Sequence, residues 1–424
     1  MPVGAACAPG RRLDTIRTLL NSYAMAFTLP RVRWDRALIV ALHAAAVLLF
    51  LQSIRPYYHR GTGFTELVHF GQANETRALP EVQRARHAVE RDSAGYDGQW
   101  YAQLSVDPLL HSPDLFTAID AAPYRARRIF FSWTAYLVGM GDPTAVLRAY
   151  AAQNVVVWLL LAGLLLYWLR PGDWRHLAAW AGCVFGIGLV GSVRFALIEG
   201  PGLLVIALAV VATERGRTWV ASGLMAVVGL GRESNLFSAA VLADGWPRSR
   251  RDALGLAGRV ALAVVPLVLW SLYVRQVFAG VPYSNYAVAR NVMIPLSGYA
   301  WKWQQVFAGF WTTGAAGVPD GGSWVGLIEI VGLTVQAWYL IARRDVRSAW
   351  WRIGAAYVVL LALVGVPVWE GVPGSVHRVV LPMTVAFNIL VVGSPRFWTL
   401  WALGNLPMVL GLYELGIVPF TWLW

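Results

Sequence analysis

The chain has 424 residues, 57% of them hydrophobic and 14% charged, with a formal net charge of +12. So few polar side chains cannot wrap a soluble core of this size, which excludes a soluble globular enzyme and leaves a bilayer as the fitting solvent. The positive charge does not point to nucleic acid: Lys302 is the only lysine, the arginines recur in short segments between apolar runs, and no basic stretch interleaves with a soluble aromatic platform.

In chain order, residues 1–36 read as a basic tail and 37–424 as a single polytopic membrane domain. Apolar runs of roughly 15 to 21 residues, the length a hydrocarbon core requires, predict helices at 37–54, 149–169, 177–193, 195–213, 256–278, 324–342, 353–369, 379–393 and 398–412. A broken pair between 218 and 246 brings the expectation to about ten or eleven segments and an all-α fold. The first run is expected to stay as an uncleaved anchor. Arg11, Arg12, Arg17, Arg31, Arg33 and Arg36 precede it; Arg170/Arg175, Arg215/Arg217, Arg248/Arg250/Arg251, Arg343/Arg344/Arg347 and Arg396 recur at alternate loops. The positive-inside bias then places the N-terminus in the cytoplasm and two long connections, 55–148 and 279–323, outside. Cys7 lies in the tail and Cys183 in an apolar run, a pattern that supports neither a disulfide nor a thiolate metal site.

Two parts of the 55–148 connection read as interfacial helices. Residues 80–92 open on a proline suited to a first helical turn. Residues 124–137 set Arg125, Arg127 and Arg128 ahead of Ile129, Phe130, Trp133 and Leu137, so these arginines are expected to hold lipid headgroups rather than a reacting group. Between them stands Gly95-Tyr96-Asp97-Gly98-Gln99-Trp100-Tyr101, a carboxylate in a tight turn bracketed by aromatics. Asp97 can serve as a general base on a hydroxyl in a sugar or lipid site, or it can simply cap the turn. His43, alone in the first apolar run, reads as a packed histidine.

The arginine clusters at 215/217 and 248–251 must lie on one side, yet only about 29 residues separate them, so at about 1.5 Å per residue each leg reaches roughly 20 Å of a ~30 Å core. The tip, Gly231-Arg232-Glu233-Ser234, is therefore expected to stop inside the membrane, as part of a cavity or as a structural ion pair.

No metal-ligand spacing, phosphate-binding lysine loop or dinucleotide fingerprint occurs, so no metal or other cofactor is expected. The order of motifs resembles the GT-C class of membrane glycosyltransferases, in particular a bacterial branch associated with cell-surface glycopolymers. The resemblance is carried by YDGQWY around Asp97, DAAPYRARRI over 120–129, Arg194 with Glu199-Gly-Pro, the hairpin from Glu214 to Glu233, and His377-Arg378-Val-Val-Leu-Pro. It implies transfer of a sugar from a polyprenyl-phosphate carrier to a cell-surface glycan or lipid acceptor on the outer face of a bacterial inner membrane, by inverting displacement. Asp97 would be the base, with Asp92 and Asp107 as substitutes, because the paired acids of many class members are reduced here to Asp97-Gly98. Arg232, His377, Arg378 and Lys302 would bind the donor phosphate, supported by Tyr96, Gln99, Tyr101, Arg194, Glu199, Glu233, Arg125 and Arg128. Lys302 between two tryptophans also reads as an interfacial anchor, and Arg378 as a snorkelling helix end. The partners implied are the lipid-linked sugar, its acceptor and membrane lipids, without nucleic acid. The competing readings are a transporter or flippase of a lipid-linked glycan, and a non-catalytic partner of a glycopolymer assembly complex.

Overall fold

The computed structural model describes residues 34–243, 249–280, 291–311, 321–371 and 374–419. The basic tail with Cys7, Arg11, Arg12, Arg17, Arg31 and Arg33, the loop arginine Arg248, and parts of the 279–323 connection lie outside the described residues. The protein is an all-α integral membrane protein. Four described helices are long and apolar enough to cross a bilayer: Asp35–Tyr57, Pro143–Leu165, Arg250–Val277 and Gly322–Arg343. A fifth crossing is available to the pair Trp174–Val184 and Ile187–Arg194, bent by 42°. Gly186, in extended conformation, interrupts the helical backbone there.

α1 (Trp34–Ile54) is apolar all round but buries one stripe, with Ile39, His43, Phe50 and Ile54 inward and Leu38, Leu42, Leu48 and Leu49 outward. A helix that exposes leucines on its outer side is suited to lipid. His43 is packed: it bonds to the Ile39 carbonyl through Nδ1 at 2.8 Å and sits 4.8 Å from the Trp180 ring.

Several predicted runs are interrupted, each at an identifiable residue. The run at 398–412 is two helices, Phe397–Gly404 and Met408–Glu414, because Pro407 cannot donate to the helical ladder. Asn405 at that break exchanges hydrogen bonds of 2.9 and 3.0 Å with Asn388. The run at 353–369 is Ala349–Leu363 followed by Val366–Glu370, broken where Val364 and Gly365 turn extended. The predicted 195–213 helix starts only at Glu199, after a turn that forces Ala196 to φ +44°.

The hairpin is α2 (Thr218–Gly231) followed by a 3-10 segment, Glu233–Leu242, with Arg232 extended between them. At 14 residues, α2 reaches only about 21 Å.

The 55–148 connection packs into the helices instead of standing apart. Its Leu67, Val68, Leu79 and Leu104 are buried in the same hydrophobic cluster as Trp158, Trp180 and Phe387 of the bundle. Of the helix predicted at 80–92, only Pro80–Arg84 forms; the chain then extends, and Val89–Glu90 pairs in parallel with Phe70–Gly71. The Ala88 amide is satisfied by the Thr65 hydroxyl at 3.0 Å, which draws the chain out of the helix. The helix predicted at 124–137 is likewise two pieces, Ala122–Ala126 and Phe130–Val138.

Candidate active site

Asp97 stands at the start of the helix Gly98–Val106, but its side chain makes no capping bond to that helix. Two close backbone approaches fix the turn. Gly95 has φ +73°, and a Cβ there would lie 2.4 Å from the His69 carbonyl oxygen; a Cβ on Gly98 would lie 2.4 Å from the Phe195 carbonyl oxygen. Glycine is the residue that fits both places. Gln99 braces the turn from inside, accepting from the Gly71 amide at 3.2 Å and donating to the Ala94 carbonyl at 2.9 Å.

Freed from capping, the Asp97 carboxylate accepts from Arg125 Nη2 at 2.7 Å and keeps 42% of its side-chain surface exposed. Arg125 is also held in a fork by Asp120, at 2.9 and 3.1 Å. The Tyr101 hydroxyl accepts from Arg125 at 3.4 Å and from Arg128 at 3.1 Å. Arg128 donates to Glu233 at 2.9 Å and lies 4.1 Å over the Tyr124 ring. Arg125 and Arg128 are thus buried and paired with acids, and do not face a headgroup layer. Charges in such a place are held only where good partners compensate their desolvation.

The opposite wall comes from the bundle. Glu199, at the first turn of its helix, pairs with Arg232 from the hairpin tip and lies 3.9 Å from Arg378. Arg378 donates to the Tyr96 hydroxyl and to Ser375 Oγ, both at 2.9 Å. Asp97, Arg125, Arg128, Glu199, Arg232 and Arg378 all line one cavity of about 200 Å³. Asp120 and Glu233 are not among its lining residues, so four guanidinium groups face it against two carboxylates. Glu199 Oε2 and Arg378 Nε are buried there without a hydrogen-bond partner. Buried polar atoms on a cavity wall are satisfied by water or by a ligand.

Burial opposes ionisation of Asp97, but the Arg125 guanidinium outweighs it, aided by Arg378 and Arg128, and holds the carboxyl below its ordinary value. Tyr96 moves the other way: burial pushes its phenol up, against the pull of Arg378, so it stays a neutral hydroxyl.

The remaining sequence-selected residues fall elsewhere. Lys302 lines a second cavity, paired with Glu329 at 3.4 Å. His377 is buried at 3% exposure and is not among the lining residues of the first. Arg194 donates to the Glu414 carbonyl at 3.0 Å and lies 3.8 Å over the Tyr57 ring. Glu233 acts from behind, as the partner of Arg127 and Arg128. Neither Asp92 nor Asp107 lines the cavity, and Asp107 accepts from the Ser112 amide at 2.7 Å. Asp120, Tyr124 and Ser375 escaped sequence reasoning as site residues. The one available signal was the position of the first two within the basic stretch over 120–129. Among the described residues no three His, Cys, Asp or Glu side chains are grouped as a metal site.

No protein-family model and no curated protein sequence matches the chain. Among solved structures, the crystal structure of ArnT from Cupriavidus metallidurans in the apo state is similar over 86% of this chain, at 18% identity and a TM-score of 0.43. The match spans 62% of the length of that protein.

Proposed function

We propose that this protein is a GT-C-type glycosyltransferase that moves a sugar from a polyprenyl-phosphate carrier to a glycan or lipid acceptor on the outer face of the membrane. The observation that carries the reading is the meeting of Asp97 with Arg125, Arg128, Arg232 and Arg378 at one cavity. The order of sequence motifs supports it independently.

The chemistry follows from the charges. The acceptor hydroxyl attacks the anomeric carbon and loses its proton to the Asp97 carboxylate. The bond from that carbon to the carrier phosphate breaks, and its electron pair leaves with the phosphate. A carboxylate with a depressed pKa is a weak base but an ionised one at neutral pH, suited to taking the proton late, once the oxygen is committed to the new bond. The guanidinium groups counter the charge that grows on the leaving phosphate, and held in place by Glu199, Tyr96 and Tyr101 they need little reorganisation to do so. Displacement from one face inverts the anomeric centre. No metal or other cofactor enters the proposal, the lipid-linked donor carrying the activated sugar.

The test is sugar transfer by the purified full chain from a panel of polyprenyl-phosphate sugars to a cell-envelope glycan extract. Wild type should transfer and Asp97→Asn should not. Equal transfer by both, or none by either across the panel, overturns the reading. Movement of a labelled lipid-linked sugar across vesicles, unaffected by Asp97→Asn, would establish a flippase in its place.

A further inference from the structure

A second cavity, of about 390 Å³, lies directly behind the first. The two share the stretches 366–371 and 374–378 as a wall. Pro367, Val368, Ser375 and Arg378 face the first, and Trp369, Glu370, Gly371 and Gly374 face the second. The second cavity's volume lies within the roughly 300–1,000 Å³ of small-molecule sites, and it is walled by Ile187, Val325 and Leu410 beside the Trp369 indole.

Its charges run opposite to those of its neighbour. Glu329, Glu370 and Glu414 face the one ammonium of Lys302. Lys302 and Glu329 neutralise each other, with side chains only 14% and 7% exposed. Glu370 has no ion-pair partner among the described residues; Glu414 has none within ion-pair distance but feels the Arg194 guanidinium, which donates to the Glu414 backbone carbonyl at 3.0 Å, and both are at least partly open to solvent. Trp369 is 2% exposed, and its indole N–H, packed against Gly298, has no acceptor among the described residues. Carboxylate acceptors and the Gln305 amide beside an aromatic and aliphatic wall are groups that bind a hydroxyl-rich ring. Three carboxylates against one ammonium leave the lining with an excess of negative charge, which repels a ligand that carries phosphate or carboxylate.

We infer that this cavity binds a sugar residue of a glycan bearing no negative charge, neutral or amine-substituted, and so holds a part of the acceptor other than the residue whose hydroxyl reaches Asp97. Only the word acceptor rests on the proposed transferase activity; the binding stands apart from it. The surface is segregated by sign, with the anionic carrier drawn to the arginine cavity and excluded from this one. Lys302 belongs to the glycan side of the wall.

Because Lys302 is the only lysine of the chain, amine-reactive labelling read by mass spectrometry on the peptide containing residue 302 reports on this cavity alone. The full chain in lipid nanodiscs is labelled with and without a glucosamine trisaccharide, cellotriose or glucose 6-phosphate at millimolar concentration. The first two should slow labelling several-fold and the phosphorylated sugar should not. Glu370→Gln and Glu414→Gln, on partly exposed side chains where folding is not at stake, should each weaken protection by the glucosamine sugar. Asp97→Asn, which stops transfer, should leave protection intact, so failure of the transferase reading and failure of this one are separately visible. Protection by glucose 6-phosphate equal to that by the other two, protection by none, or protection untouched in both glutamine variants overturns the inference.

Discussion

The two cavities on either side of residues 366–371 and 374–378 are built from the same kinds of side chain to opposite electrostatic ends. One turns four arginines toward its interior and keeps Asp120 and Glu233 behind them; the other turns three glutamates inward and sets its one lysine in a closed pair. Buried ions need partners in both places. What differs is that the first leaves Asp120 and Glu233 outside its lining, whereas in the second Lys302 and Glu329 both line the space and Glu370 and Glu414 add to the acidic side. The sign of such a site therefore follows from which charged side chains packing turns toward the space, and a count of charged residues does not predict it.

The sharpest way to break the contrast is at Asp97. Asp97→Asn should lower kcat by about 10²–10⁴-fold, the usual worth of a positioned base, with little change in donor KM, measured as initial rates of sugar transfer. An equal loss in KM alone would make Asp97 a binding group. Next, Arg378→Gln and Arg232→Gln should each cost roughly 10²–10³-fold in kcat, as the loss of a preorganised donor to a developing oxyanion does. Glu199→Gln should produce a smaller loss of the same kind, because it releases both guanidinium groups from their shared partner.

A finer test is the pH profile. The folded pKa of Asp97 lies below its ordinary value, so the stability and ionisation it contributes are present above that ordinary value and are lost as pH falls through the depressed one. The acid limb of kcat/KM should accordingly lie below the ordinary carboxylate value of about 4. In Arg125→Gln it should move upward toward that value; an unmoved limb would assign it to another group. The smallest effect is expected at Lys302, where Lys302→Met should leave donor KM unchanged, while a raised donor KM would return Lys302 to the phosphate side of the wall.

Much of the helical scaffold was readable from composition, because a run of apolar residues long enough for a bilayer is a local property of the chain. The breaks were less readable. Pro407 gives its own signal, but the extended backbone at Val364 and Gly365 is no ordinary helix stop in sequence terms. Arithmetic on the spacing of two arginine clusters called for short legs and a break at the tip, and the structure has a 14-residue helix that ends at Gly231 before an extended Arg232. Asp97, the proposed base, stood out in the sequence through its Asp-Gly turn and aromatic neighbours. The lipid-headgroup role expected of Arg125 and Arg128 was wrong for a physical reason: three arginines ahead of an apolar helix look alike whether they meet phosphates of a lipid or carboxylates of the same protein.

By itself the sequence determined that this is a helical membrane protein with an acidic turn in its long first connection and basic residues at its helix ends, all of which depend on neighbours within a few turns of chain. Which of those charges share a cavity was decided only by the tertiary structure. Arg128 meets Glu233 across 105 residues and Arg378 meets Tyr96 across 282, and Lys302 finds Glu329 on the far side of a wall from Arg378. A charge buried away from water takes the partner that packing brings to it, and packing between distant segments leaves no mark in the local pattern of the sequence.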